Sequence, residues 1–184
     1  MLYFFYSAMN AGKTTMLLGS AHNYELKYKN ILLLNSILDT RFSNNCIKSR
    51  TGISKPCNYY SENDNMENII ESKFPLDCVF IDEAQFLTEK QVKDLFKISS
   101  KHNLTIKCYG LRTDFKGKVF EGSRELLALA DELVQLKTIC DCGKNATMNR
   151  RLEESKNYEI IQIGGEDIYT SECPTCWLNG RTNF

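Results

Sequence analysis

The chain has 184 residues, 42% hydrophobic and 25% charged, with 23 Lys and Arg set against 23 Asp and Glu. That length and balance predict one globular domain, or one plus a small appendage, and not a disordered chain. Zero formal net charge argues against a general nucleic-acid or anionic-membrane binder. No apolar run approaches the roughly 18 residues that a membrane span needs. The N-terminus carries no charged and then apolar leader, so the expected location is cytoplasmic.

Residues 2–6 predict a buried first strand, followed by Ser7-Ala8-Met9-Asn10-Ala11-Gly12-Lys13-Thr14. A helix is predicted from residue 13 to about 28, with Leu17, Leu18, Ala21 and Tyr24 at helical spacing. Residues 31–34 form a short continuous apolar run, as in a strand covered on both faces. A polar stretch over 35–55 contains Asp39-Thr40-Arg41, and residues 57–60 predict another short strand. A helix over 66–72 and an apolar strand over 78–81 come next, the strand ending in Asp82-Glu83. Thr88 is a good N-cap for a helix running to about residue 102, with Val92, Leu95, Phe96 and Ile98 on one face. A strand over 105–109, a charged loop to Gly122, a short helix over 124–130 and a last strand over 133–136 complete the pattern. Short buried strands alternating with helices predict an α/β fold on a parallel sheet, in which ligands bind at the carboxyl ends of the strands. Beyond residue 138 the pattern changes to cysteine pairs and polar turns. The expected division is therefore 1–137 and 138–184.

Strand, tight turn, Gly12-Lys13-Thr14 and helix is the context of a Walker A phosphate loop, although the full pattern asks for Gly where this chain has Ser7. Backbone N–H groups and the helix dipole favour an anion there. Ser7, Ala8, Met9, Asn10, Ala11, Gly12, Lys13 and Thr14 are thus the candidate cradle for the phosphates of ATP. Lys13 would reach the β- and γ-phosphate oxygens, and the Thr14 hydroxyl would ligate Mg2+. Asp82-Glu83-Ala84-Gln85 closes an apolar strand, as a Walker B carboxylate does. Asp82 is the second candidate for magnesium, and Glu83 the candidate general base. Taken alone, such a pair is equally a solvated acidic strand end; the phosphate loop decides between the two. Of the eight cysteines, Cys46, Cys57, Cys78 and Cys108 are scattered. Cys140, Cys142, Cys173 and Cys176 form two close pairs, which predict a closed, structural four-thiolate zinc (Zn2+) site rather than a disulfide framework. The alternative is four reduced cysteines without metal. Lys48, Arg50 and Lys55, and likewise Arg112, Lys116 and Lys118, are expected to be solvated loop residues. His22 and His102 are assigned no role.

With these residues in view, the chain resembles the type II thymidine kinases, the cytosolic, zinc-containing class, from residue 2 to 176. The motifs that carry the resemblance are Ser7 to Thr14, Asp39-Thr40-Arg41, Asp82-Glu83-Ala84-Gln85-Phe86, Tyr109-Gly110-Leu111-Arg112-Thr113-Asp114-Phe115 and Ile163-Gly164-Gly165 with Tyr169, completed by the cysteine quartet. Ser7 looks like a bacterial variant of the loop. The resemblance implies a P-loop NTPase (RecA-like) sheet flanked by helices, with a small zinc-ribbon-like domain carrying a lasso loop. It also implies transfer of the ATP γ-phosphoryl group to thymidine, a homotetramer and feedback inhibition by dTTP, with neither nucleic acid nor membrane as partner. On the same ground Glu83 matches the catalytic base. Asp39, Thr40 and Arg41 match a segment beside the phosphates, and Gln85 is placed with the nucleotide-binding residues. Met9, Phe86, Leu111, Phe115 and Tyr169 match the walls around the nucleoside. Ile160, Ile161, Gln162, Ile163 and Gly164 match the loop whose backbone holds the thymine edge. A P-loop ATPase acting on nucleic acid is the competing reading, because Asp82-Glu83-Ala84-Gln85 also resembles a helicase box. A non-catalytic zinc module is the other, and the intact Lys13, Thr14, Asp82 and Glu83 count against it.

Overall fold

Apolar side chains on both faces of the short strands drive the architecture. In Leu32-Leu33-Leu34 the middle residue points to one side and its neighbours to the other, as the two-residue period of a strand requires. The computed structural model describes residues 1–40, 45–152 and 168–180. Its elements begin with β1 (Leu2–Ser7), α1 (Lys13–Glu25), β2 (Ile31–Ser36), β3 (Cys46–Lys48), β4 (Ser54–Pro56), β5 (Asn58–Tyr60), α2 (Met66–Glu71) and β6 (Cys78–Ile81). They continue with α3 (Glu89–Lys101), β7 (Thr105–Leu111), α4 (Glu121–Leu129), β8 (Glu132–Gln135), β9 (Thr138–Ile139), β10 (Asn145–Ala146), β11 (Met148–Arg151), β12 (Tyr169–Glu172) and α5 (Pro174–Asn179).

Six strands form one sheet in the order β5-β2-β6-β7-β1-β8, and every neighbouring pair is parallel. On one face Leu17, Leu18 and Ala21 of α1 pack on Leu33, Phe80 and Tyr109. On the other, Met66 and Ile70 of α2, Val92, Leu95 and Ile98 of α3 and Leu126 of α4 pack on Phe4, Leu34, Val79, Ile81 and Ile106. Each buried Leu, Ile, Val, Phe or Met among them contributes about 1.5–3 kcal/mol of transfer free energy. Beyond β8 the chain leaves the sheet and forms two small antiparallel pairs, β9 with β10 and β11 with β12.

The Thr88 cap is present as a capping box, in which Gln91 N–H donates to Thr88 Oγ1 at 3.3 Å and Thr88 N–H donates to Gln91 Oε1 at 3.1 Å. Five details depart from the sequence-based expectation. Phe96 is not on the buried face of α3 but 40% exposed, because that face is filled by Val92, Leu95, Ile98 and Ser99. Helix α1 stops at Glu25, where the following turn puts Tyr28 at a φ of 54°. Helix α4 begins at Glu121, and β7 runs through Gly110 to Leu111. The polar stretch after β2 contains the hairpin β3–β4, turned by Gly52 at a φ of 90° and anchored by buried Ile47 against the α1 face.

Candidate functional site

The candidate phosphate loop leaves the sheet at Ser7, paired with Leu111 on the neighbouring strand. Asn10 and Gly12 take left-handed conformations, with φ of 59° and 72°. Ser7 keeps strand geometry, so its position has no need of glycine's freedom. Its hydroxyl does work that a glycine could not. Oγ donates to the Ala8 carbonyl at 2.7 Å and accepts from Lys13 Nζ at 3.0 Å. Lys13 also donates to the Ala8 carbonyl at 2.8 Å, which places its ammonium over the loop. The side chain of Arg50, on the turn after β3, donates to Asn10 Oδ1.

Strand β7 lies between β1 and β6, so the acidic pair after β6 faces the loop across one intervening strand. The two ends meet directly: Thr14 Oγ1 donates to Asp82 Oδ2 at 2.9 Å. Asp82 is 2% exposed, and its other oxygen accepts the Glu83 N–H at 3.1 Å. Glu83 sits at a φ of 51°, and its carbonyl accepts from the buried Tyr60 hydroxyl at 3.0 Å. Burial holds the Tyr60 hydroxyl well above its usual pKa, so it remains a donor. The Glu83 carboxylate accepts from Gln85 Nε2 at 2.5 Å, and the Leu111 N–H donates to Gln85 Oε1 at 3.0 Å. Gln85 thus bridges the carboxylate and the end of β7. Gly110 leaves room for it, since a Cβ there would stand 2.8 Å from Gln85 Oε1. Asp39 is buried beside the same strand ends and accepts from Asn35 Nδ2 at 3.1 Å, while Thr40 is exposed. Arg41 lies outside the described residues.

The candidate nucleoside walls fall into two groups. The rings of Phe115 and Tyr169 stand 6.3 Å apart, and the Arg151 guanidinium lies 5.6 Å from the Phe115 ring centre. Phe86, on the turn after Glu83, meets Phe120 edge to face at 6.0 Å. Leu111 is half-buried at the end of β7, and Met9 is half-buried in the loop. Ile160, Ile161, Gln162, Ile163 and Gly164 lie outside the described residues.

The cysteine pairs come together at the ends of the small antiparallel units. The sulfurs of Cys140, Cys142, Cys173 and Cys176 all lie within 4.8 Å of one another, and those of Cys142 and Cys173 are 3.6 Å apart. Tetrahedral zinc, with Zn–S of about 2.3 Å, asks for sulfurs about 3.8 Å apart, so the quartet fits that ion. The backbone N–H of Cys176 holds the Cys173 thiol down at about 7, and the N–H of Cys142 lowers Cys140. The hydrogen bond to Cys173 raises the Cys176 thiol to about 12. Low thiols favour the thiolate that a metal requires.

Sequence reasoning did not find Tyr60, which anchors Glu83, or Asn149, whose Oδ1 accepts the Met9 N–H at 2.8 Å. An Asn inside a short strand and a Tyr ending another are weak local signals; their partners lie far off in the chain.

A family model described as thymidine kinase matches residues 1–177. A thymidine kinase from Rhodopirellula baltica is 46% identical over 179 residues, covering 94% of this chain and 85% of its own. One from Idiomarina loihiensis is 45% identical over 183 residues, covering 96% and 95%. One from Legionella pneumophila is 45% identical over 189 residues, covering 98% and 90%.

Proposed function

The chain belongs to the thymidine kinase family, and from that premise we propose that it transfers the γ-phosphoryl group of ATP to the 5′-hydroxyl of thymidine, and of deoxyuridine, in nucleotide salvage. The supporting observation is the junction of the two motifs. The 2.9 Å contact of Thr14 with Asp82 brings a phosphate loop and a strand-end carboxylate to one point, with Glu83 as the next residue.

In this reading the backbone of residues 7–14 and the Lys13 ammonium hold the phosphates. Thr14 and Asp82 supply a hydroxyl and a carboxylate oxygen, a donor set that fits magnesium, which when bound would neutralise charge developing on the transferred group. Glu83 takes the proton of the 5′-hydroxyl as that oxygen forms its bond to the γ-phosphorus. The bond from the γ-phosphorus to the bridging oxygen breaks, and ADP leaves with the electron pair. Gln85, held by the Leu111 N–H, fixes the carboxylate rotamer. Met9, Phe86, Leu111, Phe115 and Tyr169 wall the nucleoside, and the chain over 160–164 reads its base edge. Residues 138–184 form a zinc-stapled unit carrying that segment. The expected assembly is a homotetramer in the cytoplasm, subject to feedback inhibition by dTTP. Among the described residues, no helix is long and apolar enough to cross a membrane.

The test is Glu83→Gln, which keeps the shape and removes the base. Turnover should fall by about 100-fold or more, the usual worth of a positioned general base, while thymidine binding by calorimetry stays within about threefold. Near wild-type turnover would remove Glu83 from the role.

A further inference from the structure

Three hydrogen bonds tie the phosphate loop to the cysteine-bearing end of the chain. The Met9 N–H donates to Asn149 Oδ1 at 2.8 Å, and Ser171 Oγ donates to the Met9 carbonyl at 2.6 Å. Thr138 Oγ1 donates to the Asn10 carbonyl at 3.2 Å. Asn149 and Ser171 stand directly opposite each other in the β11–β12 pair. One cross-strand pair therefore grips both polar groups of a single loop residue. The two are 2% and 6% exposed. Asn149 is itself fixed from three sides. Its Nδ2 donates to the Thr113 carbonyl at 2.9 Å, its carbonyl accepts from Trp177 Nε1 at 3.0 Å, and β12 holds its backbone.

Thr138 and Ser171 are joined by short stretches of chain to sulfurs of the quartet, and Asn149 is held by Trp177, which adjoins a third. Thr138 precedes Cys140, Ser171 precedes Cys173, and Trp177 follows Cys176 at once. The gripped segment also carries a left-handed residue. Asn10, at a φ of 59°, is a non-glycine residue in left-handed conformation, and such a state persists only where the surroundings over-determine it. Releasing either Met9 bond leaves a buried polar group unpaired and frees that turn.

We propose that Asn149 and Ser171 are positioning residues for the phosphate loop, and that through them the cysteine knot and the nucleotide site are thermodynamically coupled. Metal held by the four sulfurs fixes β11–β12, which fixes Met9 and Asn10 in the shape that cradles phosphate. Linkage makes the effect reciprocal: bound nucleotide tightens the hold on the metal by the same factor. The inference rests on the phosphate-loop and zinc readings given above.

The experiment uses the zinc-loaded full chain and its Ser171→Ala and Ser171→Thr variants. Zinc affinity is measured by equilibrium competition with a chromogenic chelator, with and without a saturating non-hydrolysable ATP analogue. Nucleotide affinity is measured separately by calorimetry. In the wild type the analogue should raise zinc affinity by about fivefold or more, the usual lower range of such coupling. Ser171→Ala should weaken analogue binding and bring that ratio close to one, while Ser171→Thr, which keeps the hydroxyl, should retain both. A purely structural role would lower zinc affinity equally with and without nucleotide, and that unchanged ratio would overturn the proposal. So would a wild-type ratio of one in a chain that binds the analogue tightly. A zinc-loaded wild type that binds no analogue would instead overturn the phosphate-loop reading, and a chain that takes up no zinc would overturn the metal reading.

Discussion

A single methyl group added at Gly122 probes how closely α4 presses on the turn that carries Glu83. A Cβ built there would stand 2.5 Å from the Leu87 carbonyl oxygen, 2.8 Å from that of Ala84 and 3.1 Å from that of Gln85. All three are backbone atoms, so no rotamer change relieves the overlap. Nor can α4 slide away easily, because the next residue, Ser123, donates from Oγ to the Leu111 carbonyl at 2.6 Å. Two terms oppose each other in Gly122→Ala. Replacing glycine in a helix gains up to about 1 kcal/mol, and overpacking costs about 1–3 kcal/mol. Three simultaneous close contacts put this site at the upper end, for a net loss of about 2 kcal/mol. At this chain length that corresponds to a Tm roughly 4–8 °C lower. The displaced turn carries Glu83 and Gln85, so kcat should fall as well. Gly19→Ala is the internal control, since the position is exposed in α1 and a Cβ there meets nothing within 4 Å. It should raise stability by about 0.5–1 kcal/mol. Urea unfolding of both variants at unchanged m decides the matter. A Gly122→Ala midpoint equal to that of Gly19→Ala would refute the close packing of α4 on the turn that carries Glu83.

Further outcomes follow from the same contacts. Thr88→Ala removes the capping box of α3 and should cost about 1 kcal/mol in urea unfolding. Trp177 is the only tryptophan in the chain, is 3% exposed and adjoins Cys176, so stripping zinc should red-shift the intrinsic fluorescence, and restoring zinc should reverse the shift. Burial raises the Cys57 and Cys78 thiols from 9.0 to about 12. The folded chain therefore holds protons that the unfolded chain gives up above pH 9, and the contribution of these two thiols should be constant up to about that pH and fall progressively toward about pH 12. A midpoint that rises over that interval would contradict the sign.

Much of the sheet is legible in the sequence because it rests on local signals. The apolar run at Cys78–Ile81, the Thr88 cap and Gly12-Lys13-Thr14 each declare their structure within a few residues. The hairpin β3–β4 escapes because its six residues include one fully buried side chain, Ile47, too few for a period. Phe96 misleads for the opposite reason: it is apolar and near the stripe, yet one step off the face that α3 buries. The substitute for the first loop glycine cannot be read from the pattern either, since the answer lies in the Ser7 hydroxyl bonding to Lys13 and Ala8. The grip on Met9 is the least legible element, because its donors and acceptors are 140 and 162 residues away along the chain. No local period or spacing records such a contact.

The most direct test of the central claim is phosphoryl transfer from γ-labelled ATP with magnesium to each of the four deoxynucleosides in parallel. The account predicts labelled thymidine 5′-monophosphate as the dominant product. Preferential labelling of deoxycytidine or of a purine nucleoside, or ATP hydrolysis stimulated by nucleic acid without any nucleoside product, would contradict it.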